Sequence, residues 1–190
     1  MRYGYHSKSL ACLYTIEEFP EPRTYEEAAE HPGWTEAMQK EILALQTNNT
    51  WDVVDLPKGK KAISCKWVDK TKLKSDGTLE RLNARLVIRG FIQQYGIDYQ
   101  DVFSPVVKMA TIRTIMAFAG EKNWPMFQLD VKNAFLHGEL EDEVYFQMPK
   151  GIPNPANKVY RLRKSLYGLK QASRHWFNKL KETLLSLGYS

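Results

Sequence analysis

The sequence is poor in cysteine, with only Cys12 and Cys65 in 190 residues. Two cysteines supply neither a disulfide framework nor the ligand set of a structural zinc site, so a reducing compartment is expected. No apolar stretch approaches the ~20 residues that cross a bilayer, and the first residues lack a basic segment followed by an apolar core. The sequence therefore predicts neither a secretory signal nor a membrane partner.

Several motifs of common enzyme classes are also absent. The chain has no glycine-rich phosphate loop and no serine-nucleophile motif, and its four histidines do not have the spacing of metal ligands. No two aspartates are adjacent anywhere in the sequence. These absences argue against a nucleotide-binding P-loop, a serine hydrolase and a histidine-based metal site.

Positive charge is concentrated in the middle of the chain. Residues 1–56 contain 4 lysines and arginines against 10 acidic residues, whereas residues 57–113 contain 12 against 5. Residues 114–190 contain 11 against 7, and the formal net charge is +5. A cationic stretch of this kind is typical of a nucleic-acid-binding groove, but a solvated lysine-rich surface has the same composition.

Hydrophobic periodicity predicts helices interleaved with strands, and therefore an α+β fold with an antiparallel sheet and packed helices. Predicted helices cover residues 34–46, 111–121 and 173–187, with a shorter one at the capping box of residues 24–27. Predicted strands cover residues 51–56, 62–74, 82–88, 126–131 and 143–148. An Asp76-Gly77 turn joins the second and third of these strands into a hairpin.

Apolar faces on the later elements predict burial. The run at residues 126–131 predicts a buried strand, and Ser173 and Gly188 are placed to cap and end the last helix. The residues expected to be buried are Ile112, Ile115, Met116 and Phe118 on the first of the two later helices, and Trp176, Phe177, Leu180, Leu184 and Leu187 on the second.

Asp130 is the sharpest local candidate for chemistry. A carboxylate beside an apolar strand is costly to bury unless it binds a partner or a metal, and Mg²⁺ prefers oxygen ligands. The alternative is that Asp130 caps a helix that begins near Asn133. Spacing alone does not decide between a metal ligand and a helix cap.

Three long segments resemble copia-type retrotransposon reverse transcriptases. Residues 48–113 resemble the leading and fingers segments of that family, and residues 158–177 resemble the block that follows its palm motif. The palm motif itself resembles residues 127–151, which read FQLDVKNAFLHGELEDEVYFQMPKG. The resemblance implies the fingers and partial palm of a right-hand polymerase over residues 21–190. Residues 1–20 are then an N-terminal extension for which disorder is one expectation.

The resemblance also implies roles for individual residues. Asp130 matches the first catalytic aspartate, a metal ligand, and the backbone carbonyl of Val131 commonly assists metal binding in the family. Phe135 matches the aromatic residue that packs under the sugar, and Arg85 lies where basic residues hold the incoming triphosphate. Without the family, Phe135 reads as a core residue and Arg85 as a solvated strand charge. Tyr167 and Gly168 match the segment near the template and the incoming base.

Contacts with nucleic acid are implied for five basic residues, although each is equally well explained as a surface charge. Two departures from the family pattern stand out: Asn83 occupies a position that is commonly lysine, and Ser173 one that is commonly proline. The first removes a cation and weakens the expected affinity for triphosphate. The five basic residues are Lys72, Lys74, Arg89, Lys170 and Arg174.

The resemblance implies RNA-directed DNA synthesis, with deoxynucleoside triphosphates and an RNA or DNA template-primer as partners. Nucleotide joining uses two Mg²⁺ or Mn²⁺ ions, which the family holds with the first aspartate and a later Asp-Asp pair. Since this sequence has no such pair, we expect a reverse transcriptase fragment that is inactive alone and does not bind the metal tightly. The missing C-terminal half of the polymerase is then a candidate partner.

Two alternatives to this function remain at the level of the sequence. One is a non-catalytic nucleic-acid-binding remnant or decaying pseudogene product, and the other is a fragment that folds poorly. The expected location is the cytoplasm or the nucleus, with an organellar origin as a further alternative.

Overall fold

The computed structural model describes residues 15, 17–154 and 156–189. Most of the predicted N-terminal extension, residues 1–14 and 16, lies outside the described residues. The helices are α1 (Tyr25–Glu30), α2 (Pro32–Thr47), α3 (Met109–Glu121) and α4 (Ala172–Ser186), with 3₁₀ turns at Gly90–Ile92 and Ala134–His137. The strands are β1 (Trp51–Val54), β2 (Cys65–Leu73), β3 (Leu79–Ile88), β4 (Tyr145–Gln147) and β5 (Val159–Leu162).

Local signals set the ends of the two N-terminal helices. The Thr24 side chain accepts a hydrogen bond from the Glu27 backbone N–H at 3.2 Å, which confirms the predicted cap. Glu27 Oε2 reaches back to the backbone N–H of Arg23 at 2.8 Å, one residue earlier than in a standard capping box. Pro32 begins α2, and Asn49, with a φ of 51°, follows its end.

The strands form two antiparallel sheets. Strands β2 and β3 form the predicted hairpin, in which Asp76 accepts from the Thr78 backbone N–H at 2.9 Å and Gly77 has a φ of 89°. The other sheet has the order β1-β5-β4. A parallel bridge between Ile63 and Phe146 connects it to the segment before β2. The α+β class with antiparallel pairing is therefore confirmed.

The core consists of two clusters that share one face of β3, and Trp67 of β2 packs against both. The smaller packs Trp34 and Met38 of α2 against Ala84 of β3, as the helical spacing predicts. The larger joins the three-stranded sheet to the end of β3 and to the segment before α4. Its buried members are Leu45, Ile63, Leu86, Ile88, Leu136, Val144, Phe146, Tyr160, Leu162, Leu166, Leu169 and Ala172.

The predicted buried strand at residues 126–131 is wrong. These residues are not in a strand, and Phe127 and Leu129 are 86% and 88% exposed. A strand needs a neighbour for its backbone N–H and C=O groups, and among the described residues none pairs with this segment. Helix α3 forms as predicted, but its apolar face is also uncovered. The exposed residues on that helix include Ile112, Ile115, Met116 and Phe118.

Helix α4 likewise forms without the burial that its sequence predicts. It begins after Gln171, not at a Ser173 cap, and Gly188 follows its end with a φ of 88°. Ala172 is its only buried residue within the described part of the chain. Leu180 and Leu184 are exposed, although Trp176 is partly covered. The apolar faces of α3 and α4 therefore lie open in the described structure.

Candidate functional site

A close approach of two backbone segments positions the candidate site. The backbone N–H of Ile88, at the end of β3, donates to the Tyr167 carbonyl at 2.8 Å. A Cβ atom on Gly168 would lie 2.0 Å from the Ile88 carbonyl oxygen, and one on Gly90 would lie 2.0 Å from the Gly168 carbonyl oxygen. Gly168 also has a φ of 91°, which side chains rarely tolerate. Glycine at both positions lets the turn at Tyr167 pack directly on the hairpin.

This junction brings three residues from distant parts of the sequence together. The Arg85 guanidinium carbon lies 5.8 Å from the centre of the Tyr167 ring, within the range of a cation–π contact. The Phe135 ring meets the Tyr167 ring edge to face, with 5.0 Å between their centres. Two of the residues assigned to the nucleotide from the sequence, Arg85 and Phe135, thus contact the ring of a third, Tyr167, which precedes Gly168. Phe135 also packs against the larger core cluster.

Sequence reasoning missed the partner of Arg85. Glu41 of α2 is 5% exposed, and its Oε2 accepts from Arg85 Nη1 at 2.5 Å. The signal was present, because Glu41 lies three residues after Met38 and four before Leu45, on the apolar face of an amphipathic helix. A charge at such a position indicates a buried ion pair.

Two of the residues assigned to nucleic acid are engaged within the protein. Lys170 Nζ donates to the Gln93 carbonyl at 3.1 Å and lies 5.0 Å from the centre of the Tyr99 ring. Arg174 Nη1 is 3.5 Å from Asp101 Oδ2. Both cations stabilise the loop that follows β3, so they are less available to phosphate than free surface charges.

The hairpin cations behave differently. Lys72, Lys74 and Arg89 are exposed, and none forms an ion pair with any residue that the structure describes. By contrast, Lys70 on the same hairpin pairs with Glu21 at 2.5 Å. The three unpaired cations give this arm of the molecule a positive surface.

Asp130 and Val131 lie on the open segment before the Ala134–His137 turn, and both are exposed. The neighbouring Asn133 has a φ of 53° and does not cap that turn with its side chain. Among the described residues, Asp130 belongs to no group of three or more histidine, cysteine or acidic side chains that could hold a metal ion. The Asp130 carboxylate remains available to a ligand from solvent.

Burial shifts the pKa values of three other groups. It raises the pKa of the Cys65 thiol to about 11 and that of the Asp69 carboxyl to about 6, where the Glu21 charge adds to the shift. It lowers the pKa of His175, against the opposing effect of Asp142. Cys65 is therefore a neutral thiol at neutral pH and not an activated nucleophile.

Comparison with known proteins decides the family. Residues 48–190 match the family model described as "Reverse transcriptase (RNA-dependent DNA polymerase)". The chain is 47% identical over 179 residues to the "Retrovirus-related Pol polyprotein from transposon TNT 1-94" of Nicotiana tabacum, a match that covers 92% of this chain. The chain belongs to the reverse transcriptase family of copia-type retrotransposons.

Other relatives of this reverse transcriptase chain differ in length. It is 45% identical over 184 residues to the Pol polyprotein from transposon RE1 of Arabidopsis thaliana, covering 95% of this chain and 12% of the polyprotein. It covers 14% of the tobacco polyprotein, so the chain spans only a small part of these curated relatives. An uncharacterized mitochondrial protein of Arabidopsis thaliana is 50% identical over 111 residues, covering 58% of this chain and 64% of that protein. No solved structure matches the chain.

The two-metal centre of the reverse transcriptase family does not fit the residues at hand. Two divalent ions need several converging carboxylates, whereas the described residues contain no group of three or more histidine, cysteine or acidic side chains that could hold a metal ion. Glu139, Glu141 and Glu143 lie in the loop before β4 and do not form such a group. In the described part of the chain, no helix is both long and apolar enough to span a membrane.

Proposed function

We propose that this reverse transcriptase chain supplies the fingers and part of the palm of a right-hand polymerase, and that Arg85, Phe135, Tyr167 and Gly168 form its nucleotide-binding surface. The convergence of the first three residues, which come from separate segments, carries the proposal. The planar guanidinium of arginine suits triphosphate oxygens, and aromatic rings suit a sugar and a base. The substrates are deoxynucleoside triphosphates and a primed RNA or DNA template.

The nucleotide surface is testable with the chain as it stands. Titration with a deoxynucleoside triphosphate and Mg²⁺, followed by intrinsic fluorescence, is expected to show binding that Arg85→Gln weakens by roughly 10- to 150-fold, since a lost charge-assisted contact costs about 1.5–3 kcal/mol. Arg81→Gln is the matched control, because Arg81 lies on the same strand but pairs with Glu80 at 3.1 Å. Equal losses in the two variants would show only a general charge effect and would refute the proposal.

Nucleotide addition is a separate matter, and we propose that the chain alone does not catalyse it. Asp130, assigned as the catalytic residue, contributes one carboxylate, and Val131 contributes only a backbone carbonyl, which is too few ligands to hold two Mg²⁺ or Mn²⁺ ions tightly. A primer-extension assay in either metal is expected to give no product above background. Extension that disappears with Asp130→Ala would overturn this proposal.

The hairpin cations favour a second function, that of a non-catalytic nucleic-acid-binding remnant. Lys72, Lys74 and Arg89 carry unpaired charge that can neutralise phosphates. Binding to duplex is expected to be independent of sequence and to weaken as salt rises, and Lys72→Gln with Lys74→Gln should reduce the slope of log K against log salt by about 2. Lys108→Gln with Lys122→Gln removes the same charge from the two residues that flank α3 and should leave the slope unchanged. No binding at low salt would rule this function out.

A mitochondrial relative bears on where such a remnant would be found. The 50% identity to an uncharacterized mitochondrial protein supports an organellar origin beside the cytoplasm and the nucleus. Sequencing of RNA from purified organelles tests this: transcripts that map only to nuclear DNA would exclude it.

The exposed apolar side chains of α3 and residues 126–131 favour the hypothesis that the chain has a binding partner. We propose that α3 and residues 126–131 are covered by the remaining half of the polymerase domain, because their exposed side chains are core-sized and the polyprotein relatives are far longer. Co-expression with the segment that follows the matched region in the tobacco polyprotein should form a complex that Leu129→Asp weakens and Val53→Asp, an exposed change on β1, does not. Formation of homodimers instead, weakened by Leu129→Asp, would contradict the proposal.

A further inference from the structure

A buried carboxylate supports the guanidinium of the candidate nucleotide surface. Glu41 lies on the buried face of α2 among apolar neighbours. Burial of a charge there is costly unless hydrogen bonds and an opposite charge compensate it. Glu41 receives both from β3, and the partner is the one arginine assigned to the triphosphate.

Both carboxylate oxygens of Glu41 are directed at adjacent residues of β3. Oε2 accepts from Arg85 Nη1 at 2.5 Å, and Oε1 accepts from the Leu86 backbone N–H at 3.4 Å. The bond to the Leu86 N–H is long and weak, so the short contact with Arg85 is the main one that links the carboxylate to β3. On its other side the Arg85 guanidinium lies over the Tyr167 ring, 5.8 Å from its centre.

Arg85 keeps donors for a ligand in this arrangement. An arginine has five N–H donors, and Arg85 uses one of its terminal nitrogens on Glu41 while its side chain stays 34% exposed. A guanidinium held between a carboxylate and a ring has fewer rotamers to lose when it meets a phosphate. The arrangement is therefore suited to present Arg85 and not merely to neutralise it.

We infer that Glu41 is a positioning residue, which holds the Arg85 guanidinium over Tyr167 so that its remaining N–H groups face the phosphates of an incoming nucleotide. This inference rests on the nucleotide-binding role proposed above for Arg85. The competing explanation is a purely structural ion pair that ties α2 to β3. The two differ in whether loss of Glu41 acts on phosphate affinity through Arg85.

A double-mutant cycle on the full chain separates these explanations. Affinity is measured for Mg²⁺–thymidine triphosphate and for thymidine, in wild type, Glu41→Gln, Arg85→Lys and the double variant. We expect Glu41→Gln to weaken the triphosphate about tenfold and thymidine by less than about twofold, with little further loss when it is added to Arg85→Lys. Glu36→Gln is the matched control, because Glu36 lies on the same helix but is exposed and pairs with Lys40 at 2.7 Å.

The outcomes distinguish a failure of this inference from a failure of the nucleotide-binding role on which it rests. If Arg85→Lys leaves triphosphate affinity unchanged, the nucleotide-binding proposal fails and the inference fails with it. If Arg85→Lys weakens binding but Glu41→Gln does not, the function stands and the positioning role is overturned. Equal losses for triphosphate and thymidine, or additive losses in the double variant, also overturn it.

A spectroscopic measurement on the wild type covers the case in which Glu41→Gln does not fold. In a ¹⁵N,¹³C-labelled sample we expect restricted rotation of the Arg85 guanidinium before nucleotide is added, and a shift of its N–H signals afterwards. The side-chain carboxyl signal of Glu41 should keep the shift of an ion-paired group throughout. A free Glu41 carboxylate in the nucleotide-bound state would overturn the inference.

Discussion

Replacing Gly168 with alanine tests the junction on which the candidate site depends. An alanine at a φ of 91° costs about 1–2 kcal/mol in backbone strain. Its Cβ would lie 2.0 Å from the Ile88 carbonyl oxygen, and crowding of this kind costs about 1–3 kcal/mol. Separation of the two segments would also break the hydrogen bond from Ile88 to Tyr167, worth about 0.5–1.5 kcal/mol.

These contributions predict a loss of roughly 2.5–6.5 kcal/mol in the free energy of unfolding, measured by urea titration. Two glycines separate strain from collision. Gly96 has a φ of 80° but nothing within 4 Å of its Cβ position, so Gly96→Ala should cost only about 1 kcal/mol. Gly90 lacks the positive φ but would meet the Gly168 carbonyl at 2.0 Å, so Gly90→Ala should cost about 1–3 kcal/mol. All three variants restrict the unfolded chain equally.

The comparison between Gly168 and Gly96 is decisive. If Gly168→Ala costs no more than about 0.5 kcal/mol beyond Gly96→Ala, the two backbones do not meet as described, and the convergence of Arg85 with Tyr167 loses its support. Nucleotide titration of the same variants adds a second readout. Gly168→Ala should weaken binding in any fraction that stays folded, whereas Gly96→Ala should not.

Three further predictions concern stability. Burial raises the pKa of the Asp69 carboxyl to about 6, so the native state binds the carboxyl proton more tightly than the unfolded chain does. The stability that this proton contributes is therefore present in acid and is lost as pH rises through about 6. Asp69→Asn should therefore stabilise the protein by about 1–3 kcal/mol at pH 7 and by almost nothing near pH 3.5; an effect independent of pH in urea titrations would disprove this. Thr24→Ala should cost about 1 kcal/mol by loss of the cap of α1, and an unchanged urea midpoint would contradict it. Leu129→Ser should change stability by less than about 0.5 kcal/mol and reduce binding of an apolar dye, whereas Leu86→Ala in the core should cost about 2–5 kcal/mol; a large loss for Leu129→Ser would mean that residues 126–131 are covered.

Local chemistry explains the predictions that were confirmed. Three features depend only on residues close in sequence: the cap at Thr24, the turn at Asp76-Gly77 and the apolar stripe of α2. They can therefore be predicted without knowledge of the tertiary structure. The helix at Met109–Glu121 also forms where its periodicity predicts. In these cases the sequence specifies both the element and its ends to within a few residues.

The errors concern burial. Residues 126–131 and the apolar face of α3 have the composition of a core, yet they lie exposed in the described structure. Periodicity reports which side chains favour burial, but not whether another element is present to cover them. The same limit applies to Asp130, whose exposure in the described structure does not follow from sequence spacing.

The sequence by itself determined the family and the helices and hairpin that follow from local signals, and it supplied the candidate site residues. The tertiary structure alone decided which of them meet: Arg85 and Tyr167 are 82 positions apart, with Phe135 between them, and two glycines allow the turn at Tyr167 to approach the end of β3. The tertiary structure also showed that Arg85 forms an ion pair with the buried carboxylate of Glu41. Contacts between distant residues depend on how whole elements pack, because each element buries the surface that its neighbours leave open.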